Sequence, residues 1–152
     1  MRNASHGCLV DTNVLVYPYD PREIEKGAQA LAVLTTLEER GLGCTSAQIL
    51  GELFVTLRRL LEDPLNEQQA ADRVHYYGTA WPVHHLGAST VFEALRAVDA
   101  YAMSYWDALV WATAKENRVS VILTEDGQIG REIEGVLLCN PLVRGFDLSQ
   151  IL

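Results

Sequence analysis

Positive charge is scarce in this chain of 152 residues: 12 Lys and Arg face 20 Asp and Glu, for a formal net charge of −8. The lysines are Lys26 and Lys115 alone. Nucleic-acid binders are usually basic, so this balance argues against a simple electrostatic grip on phosphates. Such an excess of carboxylates is easier to understand if several of them hold divalent cations, whose own charge then enters the electrostatics. Cysteine is sparse too. Cys8, Cys44 and Cys139 are odd in number and no pair has metal-ligand spacing. Each stands in an apolar run, as a small core residue in a reducing compartment would. No apolar run is long enough to span a bilayer. Met1 to Gly7 holds nothing like a signal peptide, so the expectation is a soluble, cytoplasmic protein. No repeat, low-complexity tract or Pro/Gly/Ser-rich linker divides the chain, and residues 1–152 are expected to form one domain.

What is present alternates between strand and helix. Apolar residues make up 49% of the chain and charged ones 21%, enough apolar content for a packed core. Cys8-Leu9-Val10 reads as a buried strand that ends in a polar loop, Asp11-Thr12-Asn13. A helix over 22–40 carries Ile24, Ala28, Leu31, Leu34 and Leu37 on one face. Gly43-Cys44-Thr45 is a short strand, and Thr45 to Gln48 has the spacing of a capping box. The next helix presents Leu50, Leu53, Phe54, Leu57 and Leu61, and stops near Asp63-Pro64. Asn66 opens a helix through Tyr77, and 81–86 is a strand candidate. Two helices follow, one with Val91, Phe92, Leu95, Val98 and Ala102 on its core face, the other from Ser104 to about Asn117. Strands at 119–123 and 136–139 complete the pattern. Short strands separated by helices imply a three-layer α/β/α sandwich around a short, mainly parallel sheet. Ligands bind such sheets at the carboxyl ends of the strands.

Four acids are placed for that edge. Asp11 directly follows the first strand, and Asp126 follows the 119–123 strand with two residues between. Glu52 lies about two turns into the helix after the second strand, and Asp107 lies in the first turn of the helix leading into the 119–123 strand. Carboxylates brought together raise one another's pKa, so a cluster of four needs a compensating cation. Mg²⁺ and Mn²⁺ suit oxygen ligands and can promote in-line displacement at phosphorus. Each residue also has a plainer reading. Asp107 fits a helix cap with Ser104, Glu52 a solvated helix position, and Asp11 and Asp126 ordinary turns. His84-His85 do not suit one metal ion, because adjacent strand residues face opposite sides. Composition and spacing alone support an α/β domain with acidic loops.

Four stretches in order add to this. They are Leu9-Val10-Asp11-Thr12-Asn13-Val14-Leu15-Val16-Tyr17, the run from Thr45 through Glu52 to Phe54, Ser104-Tyr105-Trp106-Asp107-Ala108-Leu109, and Leu123-Thr124-Glu125-Asp126-Gly127 with Asn140-Pro141 after it. Together they resemble the PIN-domain family, and within it the VapC-type toxins of bacterial toxin–antitoxin pairs. The resemblance implies a ribonuclease whose Asp11, Glu52, Asp107 and Asp126 coordinate one or two Mg²⁺ or Mn²⁺ ions. It implies that Thr12, Asn13, Ser46 and Thr124 support those acids by hydrogen bonds. It further implies an RNA substrate, a homodimer, and a cognate VapB-type antitoxin that blocks the site, often through an arginine. Gly51 beside Glu52 is a poor helix residue and points to close packing. Asp99 and Glu125 rank below the four acids. Arg58, Arg59, Lys115 and Arg118 could meet phosphates, though solvated surface is the plainer reading.

Other readings stay open. A phosphatase of the haloacid-dehalogenase type also places an Asp after strand one, but it needs a second Asp two residues on, where this chain has Asn13. A PIN fold could instead bind RNA or a partner without cutting. An RNA-processing nuclease without an antitoxin would share the chemistry.

Overall fold

The computed structural model describes residues 7–59 and 61–152. Its centre is a six-stranded sheet in the order β3-β2-β1-β4-β6-β5. The strands are β1 (Cys8–Val10), β2 (Gly43–Ser46), β3 (Val83–His84), β4 (Val121–Leu123), β5 (Glu132–Ile133) and β6 (Val136–Cys139). All neighbours pair in parallel except β5 and β6, which form an antiparallel hairpin at one edge. The helices are α1 (Thr12–Val16), α2 (Ile24–Arg40), α3 (Ala47–Arg59), α4 (Glu67–Ala80), α5 (Ala88–Tyr101) and α6 (Tyr105–Glu116). Every residue of β1, β2 and β4 is buried, although successive side chains point to opposite faces. Both faces are therefore covered, and the expected three-layer α/β/α arrangement is present.

The parallel register aligns the strand ends. Val10 sits beside Leu123, and Leu123 beside Cys139. The Asp11 amide donates to the Leu123 carbonyl at 2.9 Å, and the Thr124 amide to the Cys139 carbonyl at 2.9 Å. From β1 the chain moves to β2 on one side, while β4 lies on the other. The crevice beyond β1 and β4 is thus a topological switch point.

Several elements differ from the sequence reading. Asp11-Thr12-Asn13 is not a loop but the start of α1, with Asp11 as its cap. The hairpin strand β5 was not anticipated, since two residues carry no periodicity. On α2 the buried residues are Gly27, Ala30, Val33, Leu34 and Leu37, whereas Ile24 and Leu31 are 78% and 57% exposed. Apolar residues occupy more than one face here, so periodicity could not choose. Gly27 did: a Cβ there would lie 2.8 Å from the Tyr17 carbonyl oxygen, so only glycine lets α2 approach the 3-10 turn at Tyr17–Tyr19. On α5 the expected core residues Phe92 and Leu95 are exposed, and Thr90, Ala94 and Ala97 are buried instead. Small side chains on that face let α5 pack closely on α6. Ala102 lies beyond the helix, in the left-handed conformation that ends it.

Cys8 and Cys44 are buried and Cys139 is half-buried, all as free thiols. Burial pushes the Cys8 and Cys44 thiols up to about 12, which leaves them unreactive packing groups. No described helix is long and apolar enough to cross a membrane.

An ion-pair network ties α5, α6 and the β5–β6 hairpin together. Lys115 contacts Glu93 at 2.5 Å and Glu134 at 2.7 Å, and Arg96 contacts the same two carboxylates at 2.6 and 2.7 Å. Both cations also lie over the buried Trp111 ring. Hydrogen bonds from Arg96 and Lys115 hold Glu93 down at about 2, and those from Lys115 and Tyr101 do the same for Glu134. Lys115, a candidate for phosphate contact, is therefore engaged in structure. Because these carboxylates titrate below their unfolded values, their contribution is present above about pH 4.5 and fades as pH falls toward about 2. Lys115→Met should cost about 1 kcal/mol in urea unfolding at pH 7, since the groups are partly solvated. The deficit should shrink in molar salt and in acid; a deficit equal under all three conditions would mean that packing, not charge, was lost.

Candidate active site

Asp11, Glu52, Asp107 and Asp126 line one cavity of about 850 Å³ at the carboxyl ends of β1 and β4. Each reaches it by a different route. Asp11 leaves β1 and caps α1, with its Oδ1 accepting from the Thr12 amide at 2.8 Å. Glu52 projects from α3, whose first turn is fixed by Ser46 Oγ accepting from the Ile49 amide at 3.2 Å. Asp107 stands in the first turn of α6, where its amide donates to Ser104 Oγ at 3.2 Å. Asp126 sits in the turn after β4, and its neighbour Gly127 lies against Asp107. A Cβ at Gly127 would be 3.4 Å from Asp107 Oδ2, and its φ of +82° is one that L side chains rarely adopt. The turn can thus close over α6.

Neutral donors hold the acids together. Thr124 Oγ1 donates to Asp11 Oδ2 at 2.9 Å and accepts from the Asp126 amide at 3.1 Å. The Asn13 amide group donates to Thr124 Oγ1 and to Asp126 Oδ2, each at 3.1 Å. Thr12 Oγ1 donates to Glu52 Oε2 at 3.0 Å. The other Glu52 oxygen accepts from Gln48 Nε2 at 2.9 Å. The Asp107 carboxylate accepts no hydrogen bond among the described residues. Thr12, Asn13 and Thr124 thus touch the acids as expected. Ser46 does not: it caps α3 and acts on Glu52 only through the helix. The capping box expected from Thr45 to Gln48 does not form, because Thr45 is the buried third residue of β2; Ser46 caps the Ile49 amide instead.

Gln48 was missed as a support for Glu52. Its spacing, one helical turn before the acid, is the signal that could have found it. Gly51 was expected to mark close packing, but a Cβ there would meet nothing within 4 Å, and the residue lines the open cavity. Glu125 is drawn aside. Its carboxylate takes a hydrogen bond from Tyr17 and pairs with Lys26 at 3.2 Å. Neither Glu125 nor Asp99 lines the cavity, and its lining contains one cation, Arg22, which is paired with Asp20 at 2.9 Å. Arg58 is also engaged, donating to the Leu65 carbonyl at 3.0 Å.

Desolvation raises the Asp11 carboxyl to about 6; hydrogen bonds from Thr12 and Thr124 oppose the rise, and Glu52 and Asp107 add to it by repulsion. The donor set is hard carboxylate oxygen, suited to Mg²⁺ or Mn²⁺. Among the described residues, no three such side chains are already gathered around one point. Mg²⁺ commonly takes one or two carboxylates and keeps several waters, so this spacing fits it.

A folded pKa above the unfolded value destabilises the ionised state. Stability attributable to Asp11 therefore falls as pH rises from about 3.8 through about 6. In chelator, Asp11→Asn should melt higher than the parent at pH 7.5, by about 2–4 °C for each kcal/mol of burial cost and repulsion relieved. The gap should close on approach to pH 4. A lower melting temperature at pH 7.5 would show that the one hydrogen bond the amide cannot accept outweighs that relief.

The PIN domain profile matches residues 8–131. No curated protein matches the chain. Among solved structures, it is similar to a toxin–antitoxin complex from Klebsiella pneumoniae, with TM-score 0.63, 17% identity, and coverage of 89% of this chain and 98% of that one. It is similar to VapC20 of Mycobacterium tuberculosis, described as a toxin that cleaves the sarcin–ricin loop, with TM-score 0.60, 20% identity, and coverage of 80% and 91%. VapBC2 from Rickettsia felis, solved with a promoter DNA fragment, gives TM-score 0.61, 14% identity, and coverage of 86% and 95%. At these identities the structures speak for the fold alone. The profile match covers most of the sequence and takes in the four acids, and the chain belongs to the PIN-domain family.

Proposed function

We propose that the protein is a Mg²⁺- or Mn²⁺-dependent endoribonuclease and the toxin of a VapBC-type pair. The observation that carries this reading is the convergence of four carboxylates, in one cavity at the switch point, with neutral side chains as their holders. Such a cluster is costly unless it serves a cation. Asp11, Glu52, Asp107 and Asp126 would hold one or two ions, which supply Lewis acidity toward phosphate and lower the pKa of water. Around them, the chain's residues orient and move protons. Thr12, Asn13, Thr124 and Gln48 fix the carboxylates before substrate arrives, so little reorganisation remains at the moment of reaction. Asp107, whose carboxylate accepts no hydrogen bond among the described residues, would accept a proton from the attacking water. Water attacks phosphorus in line, the bond to the 3′-oxygen breaks, and the 3′-oxygen takes a proton. The products are 5′-phosphate and 3′-hydroxyl ends. Unstacked, looped RNA suits this site, since an acidic cleft cannot hold a duplex by its phosphates.

The toxin assignment draws support from similar structures that are toxin–antitoxin assemblies. An antitoxin arginine entering the cavity would neutralise the acids as a cation does. A homodimer has an apolar face available on α5, where Phe92 is 68% and Leu95 53% exposed. Cytoplasmic residence follows from an RNA substrate.

The deciding experiment incubates antitoxin-free protein with total cellular RNA, in Mg²⁺ or Mn²⁺ and in chelator. Metal-dependent cleavage, absent in Asp11→Asn, is the expected result; cleavage that persists in chelator would overturn the mechanism. Thr12→Val and Gln48→Ala should each lose about 10–100-fold, the usual cost of removing a residue that orients a ligand. Asp11 must also lose its proton to bind an ion. Mn²⁺ affinity, measured by calorimetry, should therefore fall about tenfold per pH unit below about 6. An affinity flat from pH 7 to 5 would remove Asp11 from the ligand set.

A further inference from the structure

The cavity that holds the acids has a second, apolar half. On each helix that bears or is capped by one of three of the acids, an apolar side chain three to five residues beyond the acid lines the same space. Val55 follows Glu52 on α3, Val110 follows Asp107 on α6, and Val16 ends the short helix that Asp11 caps. Leu61 closes the wall. At its edge is Trp106, next in sequence to Asp107 and 62% exposed. Its indole is propped edge-to-face by Tyr105, with ring centroids 5.1 Å apart at 68°. The other two tryptophans, Trp81 and Trp111, are buried. Gly51 lines the same cavity, and a Cβ there would meet nothing within 4 Å, so a larger side chain at this position would enter open space.

We infer that this apolar half is a nucleobase subsite, in which one unpaired base of the RNA stacks on Trp106 while its phosphate lies against the acids. The inference rests on the nuclease reading and adds the group that binds the strand. Charge points this way. The cavity lining contains five acids and one cation, Arg22, already paired with Asp20. Phosphate contacts alone cannot hold a strand here. A neutral base with a π-face can bind an indole without facing that repulsion. Distance points the same way. The apolar wall stands about one helical turn from the acids, about 5.4 Å along the axis, a span that one ribose bridges. The stacking surface is an indole and tolerates any base, while the cavity's volume of about 850 Å³ lies within the range of small-molecule pockets.

The test measures binding of a short, labelled, mixed-sequence single-stranded RNA with Ca²⁺ in place of Mg²⁺, alongside cleavage kinetics in Mg²⁺. Trp106→Ala should weaken RNA binding about tenfold, as loss of one stacked base does. It should raise KM by a similar factor and leave kcat within about twofold. Trp106→Phe should restore most of the loss. Gly51→Leu, which fills open space rather than packed core, should weaken RNA binding as Trp106→Ala does. Mn²⁺ affinity should be unchanged in all three, which separates the subsite from the acids. RNA affinity equal to wild type in both Trp106→Ala and Gly51→Leu would overturn the inference. So would a pattern in which those variants lose only the antitoxin, making the surface a protein-binding one. Wild-type protein that binds RNA through Trp106 and never cleaves would sink the nuclease reading and leave the subsite standing.

Discussion

Four carboxylates share one cavity, and three of them, Asp11, Glu52 and Asp126, are held there by hydrogen bonds from neutral side chains rather than by pairing with basic ones. Thr124 is the hinge of this arrangement. Its hydroxyl donates to Asp11, accepts from Asn13, and accepts from the Asp126 amide. One side chain thus joins the end of β1 to the turn after β4. Thr12 extends the join to Glu52 on α3. Neutral donors of this kind position a carboxylate without cancelling its charge. The consequence is visible in Asp11, whose carboxyl is raised to about 6 chiefly by burial, with a smaller push from Glu52 and Asp107. A lysine or arginine in place of these donors would fill the place a cation needs.

The rest of the fold can be read as a mount for that join. The parallel register sets β1, β4 and β6 level, so their carboxyl ends emerge together. Helices α1, α3 and α6 start at or beside that edge and carry Asp11's neighbours, Glu52 and Asp107. Away from the edge, basic residues are spent on structure. Lys26 and Tyr17 draw Glu125 out of the cavity, while Arg96 and Lys115 bind the hairpin to α5 and α6. The chain's two lysines are therefore both committed to carboxylates outside the cavity. Within the cavity itself, apolar walls and the exposed Trp106 are the surfaces left for the proposed RNA strand.

Local sequence settled most of the elements and their order and set the four acids near the strand ends, while α1 and β5 were not legible in it. β1 ends at Val10 because a run of apolar residues meets Asp11. α4 begins at Glu67 because Asn66 and Gln69 cap each other. β6 matches its apolar run to the residue. These are local effects, settled within a few residues by burial, capping and turn chemistry. Tertiary structure decided what local pattern could not. Apolar residues lie on several sides of α2 and α5, and which side turned inward depended on close approach at Gly27 and on the small residues of α5. Whether Glu125 or Asp126 would join the cluster depended on Lys26, 99 positions away in sequence. The open space beside Gly51 and the indole at the cavity's rim depend likewise on how three helices meet. Side-chain identity sets which contacts are possible, but only packing brings distant residues within reach and makes one set of contacts exclude the others.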